Sequence, residues 1–221
     1  MHIKILTLFP ELFSQFLNTS IIKNTINKGI VQVSLINFRD YSKQKNKKVD
    51  AKQIGGGGGM VLQLQPLVEC IEKNKVNETK VILLSPQGKL WNQKEAIKYS
   101  REKDIMLICG RYEGFDERIN EYVDEIYSIG DYVLTGGEIP SMVIMESVTR
   151  LIDNAINKQS LDCETFDENL LDYPVYAKPL DFRGKKVPEI LLSGDHKKIE
   201  RWRKEQRIIK TKKCREDLLK K

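Results

Sequence analysis

The chain has 221 residues, 40% hydrophobic and 31% charged, enough apolar content to bury a core and too much for a disordered chain. No apolar run approaches the roughly 18 residues of a membrane helix, and Met1-His2-Ile3-Lys4 enters a strand pattern without a signal sequence, which predicts a cytoplasmic protein with no membrane partner. The formal charge of +6 is uneven: residues 173–221 hold 16 Lys+Arg against 7 Asp+Glu, and the rest hold 21 against 24, a basic piece that suits either a polyanion or a solvated lysine-rich surface.

In chain order, His2–Leu8 reads as a strand, followed by a helical pattern at Leu12, Phe13 and Phe16 and a short helix over Asn18–Lys28 that stops at Gly29. Val31–Phe38 is β-branched and alternating, hence a strand. Arg39–Gly59 has no apolar period and ends in five consecutive glycines, Gly55–Gly59. Gln65–Lys75 is helical. Lys80–Leu84 is a buried strand closed by Ser85-Pro86-Gln87-Gly88. Gln93–Glu102 is a surface helix, Asp104–Cys109 a strand ending at Gly110, and Glu125–Ile129 a strand ending at Gly130. Ile139–Ile156 is the longest helical pattern. Short apolar strands separated by helices predict an α/β fold with a parallel sheet.

The pattern breaks after Ile156. The expected organisation is a domain over 1–157, a polar, flexible linker over 158–172, and a basic, mostly helical domain over 173–221. In that last piece Ser193-Gly194-Asp195 offers a helix cap. His196–Ile209 then places Ile199, Trp202 and Ile209 on one side, with Lys197, Lys198, Arg201, Arg203, Lys204 and Arg207 around the rest.

Ligands of a parallel sheet sit beyond the carboxyl ends of its strands. Three such ends carry glycine: Ser85-Pro86-Gln87-Gly88, Gly110-Arg111-Tyr112-Glu113-Gly114, and Ser128 through Gly137. Each alone is compatible with an ordinary tight turn; three in succession favour a shared ligand held by peptide groups, with Tyr112 and Tyr132 for stacking. None is a phosphate-binding loop or a dinucleotide fingerprint. Gly55–Gly59 suits an anion, a flat base or a plain linker. Cys70, Cys109, Cys163 and Cys214 stand far apart without a CxxC, and His2 and His196 are the only histidines, so no metal site is predicted. Arg150, on a mostly apolar helix, is either a snorkelling surface group or an anion-orienting one.

These segments have a resemblance. Leu83 to Gly88, Gly110 to Arg118 and Ser128 to Glu138 resemble the bacterial tRNA (guanine-N1)-methyltransferases of the TrmD family, as do Leu6-Thr7-Leu8-Phe9-Pro10, the glycine run with Met60, Gln65-Pro66-Leu67, Ser193-Gly194-Asp195-His196 and Trp202-Arg203. The similarity runs from end to end in one order.

The resemblance implies a SPOUT-type α/β fold with a deep trefoil knot, an exception to the unknotted rule. It implies a homodimer that binds S-adenosylmethionine and methylates N1 of the guanine 3′-adjacent to the anticodon (position 37 of tRNA). By motif position, Leu84, Ser85, Pro86, Gln87, Gly88, Gly110, Tyr112, Glu113, Gly114, Ser128, Ile129, Gly130, Asp131, Tyr132, Val133, Leu134, Gly136, Gly137 and Pro140 would contact the cofactor. The family's catalytic arginine falls on Arg150. Its general base, an aspartate in an Asp-Ser-Phe stretch, falls on Glu164 of Glu164-Thr165-Phe166, with Asp162 and Asp167 as neighbours able to serve. The basic segment 173–221 would hold tRNA phosphates. A Mg²⁺ ion is compatible with the resemblance, although no residue demands one. Val175-Tyr176-Ala177-Lys178-Pro179 departs from the family's His-Tyr-Thr-Arg-Pro, and Asp50 to Ile54 lacks its Arg-Pro-Tyr. A non-catalytic RNA-binding module and a nucleotide-dependent enzyme using Gly55–Gly59 are the rival readings.

Overall fold

The computed structural model describes residues 1–157 and 165–220. They form two compact units, Met1–Ile156 and Asn157–Lys221. No helix among the described residues is long and apolar enough to cross a membrane.

The first unit is built on five strands. Strand β1 spans His2–Thr7, followed by helices α1, Ser14–Leu17, and α2, Ser20–Asn27, and by β2, Gln32–Asn37. Next come β3, Asp50–Lys52, β4, Met60–Leu62, and α3, Leu64–Asn74. Strand β5, Thr79–Leu90, precedes α4, Gln93–Tyr99, then β6, Asp104–Ile108, β7, Glu125–Ser128, and α5, Glu138–Thr149. The main sheet has the order β2-β1-β6-β5-β7, and every neighbouring pair is parallel. A parallel sheet must be covered on both faces. Ile3, Ile5, Ile82, Ile105 and Leu107 accordingly point into one fully buried cluster, with Ile144 and Met145 of α5. Leu6, Val81, Leu83, Met106 and Ile108 point into the other, with Leu67 and Ile71 of α3.

Several expected boundaries move. Strand β5 does not stop at Leu84. Both Leu84 and Lys89 pair with Tyr127, and Leu90 with Ser128, so Ser85–Gly88 leave the ladder and return on the same rung. The turn chemistry of Pro86-Gln87-Gly88 was visible; the resumption was not, because Lys89 and Leu90 have no partner in sequence. Within Arg39–Gly59, β3 forms an antiparallel pair with β4, each too short to show alternation. Helix α5 ends at Thr149, where turns begin.

The second unit carries a two-stranded hairpin, β8, Asp181–Phe182, with β9, Lys185–Lys186, and helix α6, His196–Cys214, which is longer than α5. Asp195 caps α6, its side chain accepting from the Lys198 N–H. The helix faces differ from expectation. Arg207 and Thr211 are buried and Ile209 is exposed. The Arg207 Nε donates to the Leu171 carbonyl, and the Leu171 N–H donates to Thr211 Oγ1. So few apolar residues line α6 that its inward face is set by these polar bonds rather than by apolar period.

Candidate active site

The carboxyl ends of β5, β6 and β7 open onto one cavity of about 380 Å³, a size in the range of small-molecule sites. Leu84, Ser85, Pro86 and Gln87 line it from the β5 bulge. Gly110, Tyr112, Glu113 and Gly114 line it from the loop after β6. Ser128, Ile129, Gly130, Tyr132, Val133, Leu134, Gly136 and Gly137 line it from the loop after β7, with Pro140 on the first turn of α5.

Two of the expected residues are not in this lining. Gly88 is outside the lining: a Cβ there would sit 2.5 Å from the Ile126 carbonyl and the Tyr127 nitrogen. Its missing side chain makes room for the rejoining of β5 to β7. Asp131 is exposed and is also outside the lining.

The loops are tied to one another by backbone. The Gly137 N–H donates to the Gly110 carbonyl at 2.9 Å. A Cβ on Gly137 would fall 2.7 Å from Cys109 Cα, so only glycine permits this approach. Tyr112 and Gly114 turn the β6 loop through positive φ, 61° and 104°. The Tyr132 ring packs against Gly130, and its hydroxyl donates to the Ile129 carbonyl at 3.2 Å. The glycine run docks beside the same loop. The Glu113 N–H donates to the Met60 carbonyl, and the Leu62 N–H to the Gly114 carbonyl, each at 2.9 Å.

Comparison with known proteins adds the decisive observation. A family model described as tRNA (Guanine-1)-methyltransferase TrmD matches residues 1–221. The chain belongs to this methyltransferase family. A protein of Malacoplasma penetrans named tRNA (guanine-N(1)-)-methyltransferase is 54% identical over 218 residues, 99% of this chain and 96% of its own length. Proteins of the same name from Ureaplasma urealyticum and Clostridioides difficile are 52% and 49% identical over 222 and 228 residues, covering 100% of this chain and 97% and 98% of their own lengths.

In this member of the TrmD family the cavity has a polar brace that the motif reading overlooked. Glu138, at the first position of α5, is 2% exposed. One of its oxygens accepts from Thr7 Oγ1 at 2.8 Å, and the other pairs with Arg111 Nη2 at 3.0 Å. Arg111 also donates to the Thr135 carbonyl, and its guanidinium lies 4.4 Å from the Phe9 ring centroid. Gly136 leaves the room for this pair, since a Cβ there would meet Arg111 Nε at 2.4 Å and Glu138 Oε2 at 2.6 Å. The end of β1 and the loops after β6 and β7 are thus joined through one carboxylate.

Arg111 and Thr135 line the cavity from two of the anticipated loops, whereas Phe115, Glu117, Asn120 and Tyr127 line it and were not anticipated. Tyr127 continues into an edge-on cluster with Trp91 and Tyr99, and its hydroxyl donates to Glu95. Burial, with Glu95 assisting, pushes the Tyr127 phenol far above its ordinary pKa. Burial likewise raises Cys109, directly beneath the loops, so its thiol stays protonated and inert.

Arg150 closes α5 as its C-cap. At 1.5 Å of rise per residue it stands about 15 Å along the helix from Pro140, and it is not in the lining of this cavity. Glu164 and Asp162 fall outside the described residues. Among the described residues no cluster of three or more His, Cys, Asp or Glu side chains is suited to a metal.

Proposed function

We propose that this protein transfers a methyl group from S-adenosylmethionine to N1 of guanine 37 in tRNA, acting as a cytoplasmic homodimer. The observation that carries the reading is the convergence of three glycine-bearing loops on one cavity in a chain that matches the methyltransferase family over its whole length. The close packing of Gly137 on Cys109 and Gly110 supports the SPOUT-type trefoil knot.

The cavity suits the cofactor chemically. Arg111, the one cation among the described lining residues, is neutralised by Glu138, and Glu113 and Glu117 add carboxylates. That balance favours a cationic sulfonium. The loops offer peptide groups and the rings of Tyr112 and Tyr132 to an adenine and its ribose. When bound, S-adenosylmethionine supplies an electrophilic methyl group.

Guanine N1 carries a proton and becomes nucleophilic only as that proton leaves. Glu164 takes it, a role that asks for a carboxylate able to accept the N1–H. Negative charge then gathers on guanine O6, and Arg150 opposes it. Because Arg150 stands about 15 Å from Pro140 on the same helix, we assign it to the cavity of a second copy. Exposed Phe9, Leu12, Ile139 and Val143 give the first unit an apolar surface for that copy. The target base leaves its stack to reach the cavity, and the basic segment 173–221 holds phosphates. Mg²⁺ takes one or two carboxylates and keeps most of its waters. The described residues form no dedicated cage, so no step is given to it.

The test is methyl transfer to a transcript carrying G36 and G37, with calorimetric titration of S-adenosylhomocysteine. Glu164→Gln is expected to lose turnover and keep its affinity for S-adenosylhomocysteine. Full activity in Glu164→Gln together with loss in Asp162→Asn moves the base to Asp162. No binding of S-adenosylhomocysteine by the unaltered chain refutes the function.

A further inference from the structure

The second unit has a cavity of its own, about 460 Å³, that the methyl-transfer reading leaves unused. Its walls come from the segment 173–180, the end of β9, the turn before α6 and the first turns of α6. The lining is apolar and aromatic, with Lys178 and Arg203 as its charged members and no carboxylate among the described residues. Tyr176 is 48% exposed and Val175 and Leu192 stand open. The Arg203 guanidinium lies 4.7 Å from the Tyr173 ring centroid, and its Nη1 donates to Glu200. Its Nε is shut off from solvent with no hydrogen-bond partner among the described residues.

Open apolar and aromatic surface is unusual on a segment with 16 Lys+Arg against 7 Asp+Glu. A second copy meeting this face with its own would set Lys178 and Arg203 against themselves. A polymer with flat aromatic plates and anionic links satisfies both features at once: plates stack on tyrosine and guanidinium planes, links meet lysine.

We infer that the cavity takes an unstacked nucleobase of the bound RNA, distinct from the methylated guanine, with Tyr176 as the stacking plate and the Arg203–Tyr173 pair as the opposite wall. The inference rests on the tRNA reading above.

Stacking and phosphate contact differ in salt dependence, and that difference is the test. Binding of the full-length chain to the tRNA transcript is measured between about 50 and 200 mM salt. Tyr176→Ala is expected to weaken binding roughly five- to hundred-fold at every salt concentration with the slope of log K against log salt unchanged. Tyr176→Phe restores affinity. Lys178→Ala lowers the slope by about one. The KM for S-adenosylmethionine is unchanged in Tyr176→Ala. Unaltered RNA affinity in Tyr176→Ala overturns the inference, as does loss of self-association by that variant in sedimentation without RNA, which would make the face a protein contact. No tRNA binding by the unaltered chain overturns the substrate reading and the inference with it.

Discussion

Removing the carboxylate of Glu138 tests whether one buried ion pair holds the cavity together. In Glu138→Ala the Arg111 guanidinium, whose side chain is 20% exposed, loses its counter-ion, and the Thr7 hydroxyl loses its acceptor. Breaking a buried pair from one side costs about 3–5 kcal/mol. Arg111 keeps some access to water and its contacts with the Thr135 carbonyl and the Phe9 ring, so the cost falls at the lower end, about 3 kcal/mol. The opposite deletion, Arg111→Ala, strands a carboxylate with almost no access to solvent and costs more, about 4–5 kcal/mol. The double variant costs less than the two summed, because neither charge is left alone; the coupling is about 1–3 kcal/mol. Urea unfolding of the three variants supplies the cycle. Additive effects, or a cheaper Arg111→Ala than Glu138→Ala, would refute the reasoning. In the same samples S-adenosylhomocysteine affinity falls in both single variants, since this pair ties the loop after β6 to the loop after β7.

Three further outcomes follow from the geometry. Gly88→Ala places a Cβ 2.5 Å from the β7 backbone, which cannot yield as a side chain would; urea unfolding is expected to register about 2–3 kcal/mol of destabilisation, and a loss below about 0.5 kcal/mol would contradict the packing. Arg150→Ala is expected to cut single-turnover methyl transfer by about 100-fold or more with unchanged S-adenosylhomocysteine affinity, and unchanged turnover removes Arg150 from the mechanism. Burial holds the His2 imidazole below its ordinary value of 6.5, with Asp104 opposing and Lys4 assisting. The unfolded chain therefore takes up this proton first as pH falls, and stability declines from about pH 6.5 downward. The urea midpoint of His2→Asn should decline less than that of the unaltered chain between about pH 7 and pH 5, and an identical decline would show that His2 contributes nothing.

The sequence was most informative where one residue type had one use. Buried strands such as Asp104–Ile108 were legible because both faces of a parallel sheet want the same apolar residues. The glycine loops were legible because backbone approach leaves a chemical trace. The brace was not: Arg111 and Glu138 are 27 positions apart, and nothing in their spacing says that they meet. A hint existed, since a glutamate opening a largely apolar helix needs either the helix N-terminus or a cation. The inward face of α6 failed for a similar reason, because Arg207 and Thr211 are held by the polar backbone of Leu171. Base assignment rests on Glu164, outside the described residues, and stays with the motif.

The departure and return of β5 on a single rung opposite Tyr127 separates two tasks along one strand. The second half of the strand is anchored through Leu90 and the Trp91 N–H, so Ser85, Pro86 and Gln87 can face the cavity without carrying the sheet register. Gly88 closes the excursion against the β7 backbone, and a single insertion beside Gly137 would unseat the contact of two main chains.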